Sequence, residues 1–453
     1  MPCRSRLETV EVGMLHPLRW AVLALLIILL GAGLALFWPD TGPIVGFAIV
    51  GQDPYPLALD DLTHRAFVYN RTDGTVSTIN TLSGVTVDTV AVGSQYAWMA
   101  IDRRTERVFV TSGGDDSITM LDARTGRVLH REAPLAETTV RGVAVDEASG
   151  HVFVGHRDIG VVTMLDARTG HILRRVPVCA SPFAVAVAVR PRHVFVQCTD
   201  GALTMLDAHT GRVLRTTTTG NGFSSVLADE PTGRVFIMDA SRVVVLDART
   251  AAVVRTIPNL PSGGASFADP HTGHMFVSLL SQAVGGGAAP VHAPVVEFDG
   301  RTGAVLRRFS VPDNPDPVAI NPRTGHLLVG SAGALDSGNQ PHGYGVLSVV
   351  DPASGAVLQR VPLGVFPAAM AIDARAGRVV VDNETTDLNI LNSGFSGSLT
   401  TSPPENGWRQ MKRRVLGTLK RLLPSWLPFS VTVPPAPAPP TKGTVTTLDL
   451  TRL

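Results

Sequence analysis

The chain has 453 residues, with 39 lysines and arginines against 38 aspartates and glutamates. A formal net charge of +1 gives no global field for recruiting nucleic acid, so no nucleic-acid partner is expected. The 44 glycines and 33 prolines suit a turn-dense all-β chain, and the three cysteines form neither a C-x-x-C zinc pair nor a C-x-x-C-H haem motif.

Residues 1–19 carry Arg4, Arg6 and Arg19 and precede an uncharged run of 19 residues, Trp20 to Trp38. At 1.5 Å per residue the run reaches about 28 Å, close to the hydrocarbon thickness of a bilayer. Tryptophan at both ends fits the interfacial belt, and the next basic residue after the run is Arg65. The expectation is therefore a cytoplasmic segment 1–19, a transmembrane signal-anchor helix at 20–38, and export of everything that follows. The rival is secretion after signal-peptide cleavage, since Gly33-Leu34-Ala35 places small residues where a signal peptidase reads. The run is longer than a usual signal core, which favours the anchor.

From Ile44 onward the chain repeats two phrases. LDARTGRVL from Leu121, LDARTGHIL from Leu165, LDAHTGRVL from Leu206 and LDARTAAVV from Leu246 form the first, with looser copies at Ile79, Phe298 and Val350 and a truncated one at the C-terminus. The second includes VAVDEASGHVFV from Val143, LADEPTGRVFI from Leu227 and AIDARAGRVVV from Ala371. Each reads as a β-hairpin: apolar or alternating runs supply the strands, Asp bonds the amide two residues on, and Gly completes the turn. A period of roughly 40–45 residues is that of a four-stranded propeller blade.

The A–B turns are placed at Asp60, Asp102, Asp146, Arg190, Asp229, Asp269, Asn321 and Asp373, and the C–D turns at Asn80, Asp122, Asp166, Asp207, Asp247, Asp299, Asp351 and Asp449. Eight of each predict an eight-bladed all-β propeller over 44–453, with a seven-bladed ring as the alternative. The last blade lacks a strand D, and Ile44 to Val50 supplies one, closing the ring and hiding its edges.

Two features interrupt the pattern. Cys179 and Cys198 fall at strand exits on the same rim, where either a disulfide or two buried thiols is compatible with the spacing. An insert at 383–443 carries the second helical signal, a basic amphipathic helix over 405–423. Trp408, Met411, Val415, Leu419, Leu422 and Trp426 recur at spacings of three and four, with Lys412, Arg413 and Arg414 among the residues on the other faces. This reads as a membrane-surface element or as a lid packed on the propeller. VPPAPAPPTK, from Val433 to Lys442, is a proline-rich spacer back into the last blade.

FVYNRTDGTVSTINTLSGVTVDTVAVG, from Phe67 to Gly93, and FVTSGGDDSITMLDARTGRVL, from Phe109 to Leu129, resemble the YVTN β-propeller repeat family of YncE-like proteins. The resemblance covers most of Leu57 to Val381 and the final strand. It implies a propeller, usually exported, and little about activity, because such propellers serve as lactonase-like enzymes, dehydrogenase subunits, surface proteins and binding platforms. The eight-blade count and the long insert depart from the commoner form.

The acidic residues of the turn slots read as turn caps rather than catalytic pairs. His151, His171, His193, His274 and His326 share a post-turn slot with Arg107, Arg127, Arg212 and Arg234 in other units, which marks an exposed hairpin position. No metal site is argued by spacing, and no cofactor is expected. The opposite rim varies from blade to blade. Its connections lengthen at Leu279 to Pro294, Ser331 to Gly345 and Asp382 to Lys442. Strand A begins there with Tyr55, Ala97, Arg141, Ser224, Gly264, Asp316 and Ala368, and Trp98, His156, Phe183, Phe223, His292, His342, Tyr344 and Phe366 sit on the same rim. Variable loops on a rigid scaffold are where binding residues gather. The reading is a non-enzymatic ligand-binding or protein-interaction scaffold; the alternative is a lactonase-like hydrolase or lyase, with Asp316, Arg141 and scattered histidines as its candidates.

Overall fold

The computed structural model describes residues 42–385 and 443–453, apart from short stretches at 94–95, 133–138, 221–224, 239–241, 259–265, 270, 279–293, 312–314, 332–333, 336–340 and 343–344. The membrane run at 20–38 and the helix at 405–423 lie outside the described residues. Among the described residues no helix is long and apolar enough to cross a membrane.

Eight four-stranded antiparallel sheets make eight blades. Strand A of blades 1 to 8 is Pro54–Asp60, Ala97–Asp102, Val140–Asp146, Pro182–Ala188, Ser225–Asp229, Ser266–Ala268, Pro315–Ile320 and Val365–Asp373. From blade 6 round through blade 1 to blade 5, each strand A meets that of the next blade. The seven-bladed alternative is thereby excluded. In the last blade Ile44–Ile49 pairs antiparallel with Thr444–Asp449, so the two ends of the described chain close the ring. The Val50 amide reaches the Gly443 carbonyl at 3.1 Å, and the Asp449 amide reaches Pro43 at 2.6 Å.

The core is divided among the blade junctions. Strand B places Phe67, Phe109, Phe153, Phe195, Phe236 and Phe276 at one slot of blades 1 to 6, each no more than 2% exposed, with Leu328 and Val380 in blades 7 and 8. Phe195 illustrates the logic: it packs with Leu203 and Met205 of its own blade and with Val235, Ile237 and Leu246 of the next. Phe67 bridges blades 1 and 2 in the same way, and Val380 bridges blades 8 and 1.

The turns work as their chemistry requires. Asp122 Oδ1 accepts from the Arg124 amide at 3.0 Å, the Thr125 amide at 2.9 Å and the Thr125 hydroxyl at 2.9 Å. Gly126, at φ +77°, returns its amide to the Asp122 carbonyl. The arrangement recurs at Asp299, where the Thr302 amide is the largest influence holding the carboxyl below its usual range.

Two local expectations need correction. In blade 4 the turn slot belongs to Ala188, paired with His193, not to Arg190. The missing carboxylate comes from the next blade: Glu230 accepts from the amides of Val189 and Arg190. The post-turn histidines are also not simply exposed. His151 and His193 are partly buried, and their Nδ1 atoms hydrogen-bond the Ala208 and Ala248 carbonyls of the following blade at 3.0 and 2.9 Å.

Truncating one junction tests the division of the core. Phe195→Ala is expected to cost about 3–5 kcal/mol and lower the chemical-denaturation midpoint. An unchanged midpoint would show that the junction does not limit stability.

Candidate functional site

Strand A starts on the variable rim, and there its pairing is irregular. Register shifts lie between Pro54 and Leu57, Arg141 and Val143, Pro182 and Ala184, Pro315 and Val318, and Pro367 and Met370. A bulge kinks its strand and re-aims the side chains beside it. Tyr55, Phe183 and Asp316 stand inside such shifts, and Arg141 borders one. In blade 3 the inserted residue is Gly142. A Cβ there would lie 2.8 Å from the Val185 amide nitrogen and 3.0 Å from the Phe183 carbonyl, so glycine lets the bulged strands of blades 3 and 4 touch.

One aromatic, cationic group gathers here from three blades. The Arg141 guanidinium carbon lies 5.2 Å from the Tyr96 ring centroid and 5.2 Å from that of Trp98, within cation–π range. Trp98 meets Phe183 edge-on, with centroids 6.2 Å apart and planes at 82°. Tyr96 is 58% exposed, whereas Arg141 is only 9% exposed, and buried Arg141 Nε has no hydrogen-bond partner among the described residues. Burial first, and then the Arg157 charge, lower the Arg141 pKa; Asp158 and Asp116 act in the opposite sense. The guanidinium stays charged at neutral pH. It offers donors to a carboxylate or similar anion, while the rings supply apolar surface around it.

Cys179 and Cys198 are joined by a disulfide, with Cα atoms 6.2 Å apart, which settles the open choice against two thiols. The bridge ties the connection leading to Phe183 to the end of strand B in the same blade.

A second group joins blades 7, 8 and 1. Tyr55 is 44% exposed as a residue, but burial at its hydroxyl end is the main cause of a raised pKa, followed by the charges of Asp316 and Asp382. Arg71 lies over the Tyr55 ring at 5.6 Å and donates to Asp53 at 2.5 Å.

Of the rim residues singled out from sequence, Trp98 and Arg141 are brought together with Phe183, and Tyr55 comes near Asp316. His156 departs from its expected place. It is 2% exposed, and its Nε2 lies 2.8 Å from the Thr163 hydroxyl, so it joins strands B and C inside the blade. Phe366 lies in strand A of blade 8 at φ +52°, a conformation that a bulky residue seldom adopts. His342 is in a two-residue ladder opposite Ala334. Phe223, His292 and Tyr344, with Trp408, Lys412, Arg413, Arg414, Leu419 and Trp426, lie outside the described residues. Tyr96 was missed, although its i, i+2 spacing from Trp98 in an extended segment was visible.

A family model described as outer membrane protein assembly factor BamB matches residues 58–190 and 114–269. The chain is a β-propeller repeat protein, and that match does not extend to the YVTN group in particular. No curated protein matches it. Similar solved structures include the dihydro-heme d1 dehydrogenase NirN in complex with DHE, at 14% identity and TM-score 0.59 over 75% of this chain and 77% of that one. The computationally designed Ika8 protein gives 16% and 0.57 over 75% and 96%. BamB from Moraxella catarrhalis gives 16% and 0.51 over 75% and 96%. At these identities the likeness is one of fold.

The buried histidine makes a testable pH signature. Burial first, and then the Arg175 charge, lower the His156 pKa to about 4. The unfolded chain, with a histidine pKa of about 6.5, therefore binds the extra proton between roughly pH 6.5 and 4, and stability falls as pH drops through that window. Asn70 and Asn383 occupy the equivalent slot in blades 1 and 8 and bond strand C there. His156→Asn is expected to flatten the melting temperature against pH between 6.5 and 4; an unchanged profile would rule out a neutral, buried His156.

Proposed function

We propose that the chain is a membrane-anchored, extracytoplasmic propeller and a non-enzymatic protein-interaction scaffold, whose binding face is built from Tyr96, Trp98, Arg141 and Phe183. The observation that carries this reading is the position of Arg141, whose guanidinium lies within cation–π range of both the exposed Tyr96 ring and the Trp98 ring. Tryptophan, tyrosine and arginine are the residues that dominate interface energetics, because each combines a large desolvated surface with a directional polar group. A partner segment presenting a carboxylate next to an apolar side chain would satisfy Arg141 and cover Tyr96. All four residues fall within the stretch that matches the BamB model.

A photo-crosslinking aromatic placed at Tyr96 in the full chain in cells tests the proposal. The expected result is a discrete adduct to one partner that weakens several-fold in Arg141→Gln. An adduct indifferent to Arg141→Gln, or no adduct, overturns the reading. The alternative, a lactonase-like hydrolase, draws on the nearness of Asp316 and Asp382 to Tyr55. Lactone hydrolysis abolished by Asp316→Asn would favour it.

Export is supported by the arginines preceding Trp20 to Trp38 and by the Cys179–Cys198 bridge, a linkage that persists in oxidising compartments. A C-terminal reporter active only after export is the expected outcome; one that functions in the cytoplasm would sink the localisation.

A further inference from the structure

The propeller carries a regular staple between successive blades on its outer edge. At one slot of strand D, Arg174, Arg215, Arg255 and Arg307 in blades 3 to 6 donate to carbonyls in the C–D turn of the following blade. The pairing register shows the equivalence: Arg174 stands opposite Met164, Arg215 opposite Met205 and Arg255 opposite Val245.

Outside blades 3 to 6 the slot varies: it holds Asp88 in blade 1, Gln359 in blade 7 and, opposite Met120 in blade 2, His130. Two residues on, where strand D of blades 1 and 3 to 7 carries Val90, Val176, Thr217, Ile257, Phe309 and Val361, blade 2 has Glu132 opposite Ile118. The facing turn of blade 3 contributes His171, in a slot that holds Arg127 and Arg212 in blades 2 and 4 and Ala252, Ala304 and Ala356 in blades 5 to 7. A carboxylate at an otherwise uncharged strand position thus meets two histidines at one junction.

Their geometry is that of a donor set. His130 and Glu132 are i, i+2 on one face of a strand, and His130 Nε2 lies 3.2 Å from Glu132 Oε2. The His130 and His171 rings meet at 4.8 Å between centroids and 71° between planes. One donor atom from each of the three residues falls within 4.8 Å of the others. Gly170 makes the approach feasible: a Cβ there would lie 2.7 Å from His130 Cδ2. The neighbouring cation turns elsewhere, with Arg131 donating to the Ala91 carbonyl and pairing with Asp115. His130 and Glu132 are half-buried and His171 is exposed, so a bound ion would keep positions open to solvent.

We propose that His130, Glu132 and His171 form a binding site for a zinc-class divalent transition metal at the junction of blades 2 and 3, separate from the Arg141 group on the rim. Two imidazoles and a carboxylate are a common zinc donor set, with ligand bonds of about 2.0–2.2 Å and a fourth position left for water or an incoming ligand. A tetrahedron with such bonds has edges of about 3.4 Å, near the spacing of His130 and Glu132. In this junction the metal takes over the bridging that arginine performs from blades 3 to 6.

The repeats supply their own control. His130→Arg and His171→Arg install residues that the same slots carry in neighbouring blades, so both variants are expected to fold. The full chain, in a Cys3→Ser background and stripped with chelator, is titrated with Zn²⁺ by calorimetry and with Co²⁺ by visible absorption. The expected result is one strong site per chain with the intense Co²⁺ bands of low coordination number. Affinity should weaken at least about tenfold in Glu132→Gln and be lost in His130→Arg and His171→Arg, while metal-free melting temperatures stay close to that of the parent. Absence of a strong site, or binding undiminished in His171→Arg, overturns the proposal.

Discussion

A single packing contact, repeated around the ring, underlies everything else in the molecule. The strand B side chain at the Phe195 slot crosses from its own blade into the next, and no blade buries it alone. Eight junctions of this kind replace one central core. The last cannot form unless the chain ends meet, since Ala48 of the closing strand and Val50 just after it pack with Ala66, Val68 and Val380. Closure is therefore a packing requirement, and the hydrogen bonds between Ile44–Ile49 and Thr444–Asp449 are the form it takes.

The two faces of the ring divide the remaining tasks. On the tight-turn face, side chains link blade to blade: Thr63 and Thr105 donate to the Ala123 and Ala167 carbonyls, while Asp373 of blade 8 accepts from the Thr81 hydroxyl of blade 1 and meets His64 at 2.9 Å. Such regularity leaves the variable face free to differ. There the A strands bulge in five blades, and each bulge turns residues that a regular strand would send elsewhere. A rigid frame with an irregular mouth suits recognition, because the binding side chains are held before a partner arrives and little of their freedom is lost on contact.

Much of this architecture was legible in the chain. The turn aspartates, the two repeated phrases and the missing eighth strand D gave the blade number and the mode of closure. Arg141, Trp98 and Phe183 were placed on the right rim by counting back from the turns. His156 was placed there too, yet its side chain turned inward. Strand alternation sends it to the face that holds Thr163, and the register needed to see this comes from pairing across strands. Ala188 was missed as a turn slot because the carboxylate for its turn, Glu230, lies in the next blade.

Local chemistry set the periodic part of the protein: hairpins follow from Asp, Thr and Gly within four residues of one another, and strands follow from apolar alternation. Their repetition alone implied a ring and its closing strand. Only the tertiary structure decided which side chains meet across blades. The approach of Arg141 to Tyr96 and Trp98, the pairing of Cys179 with Cys198, and the gathering of His130, Glu132 and His171 all depend on bulges and blade-to-blade distances. Those contacts join residues from separate repeats or from separate strands of one blade, and the packing that brings them together has no local signature in the chain.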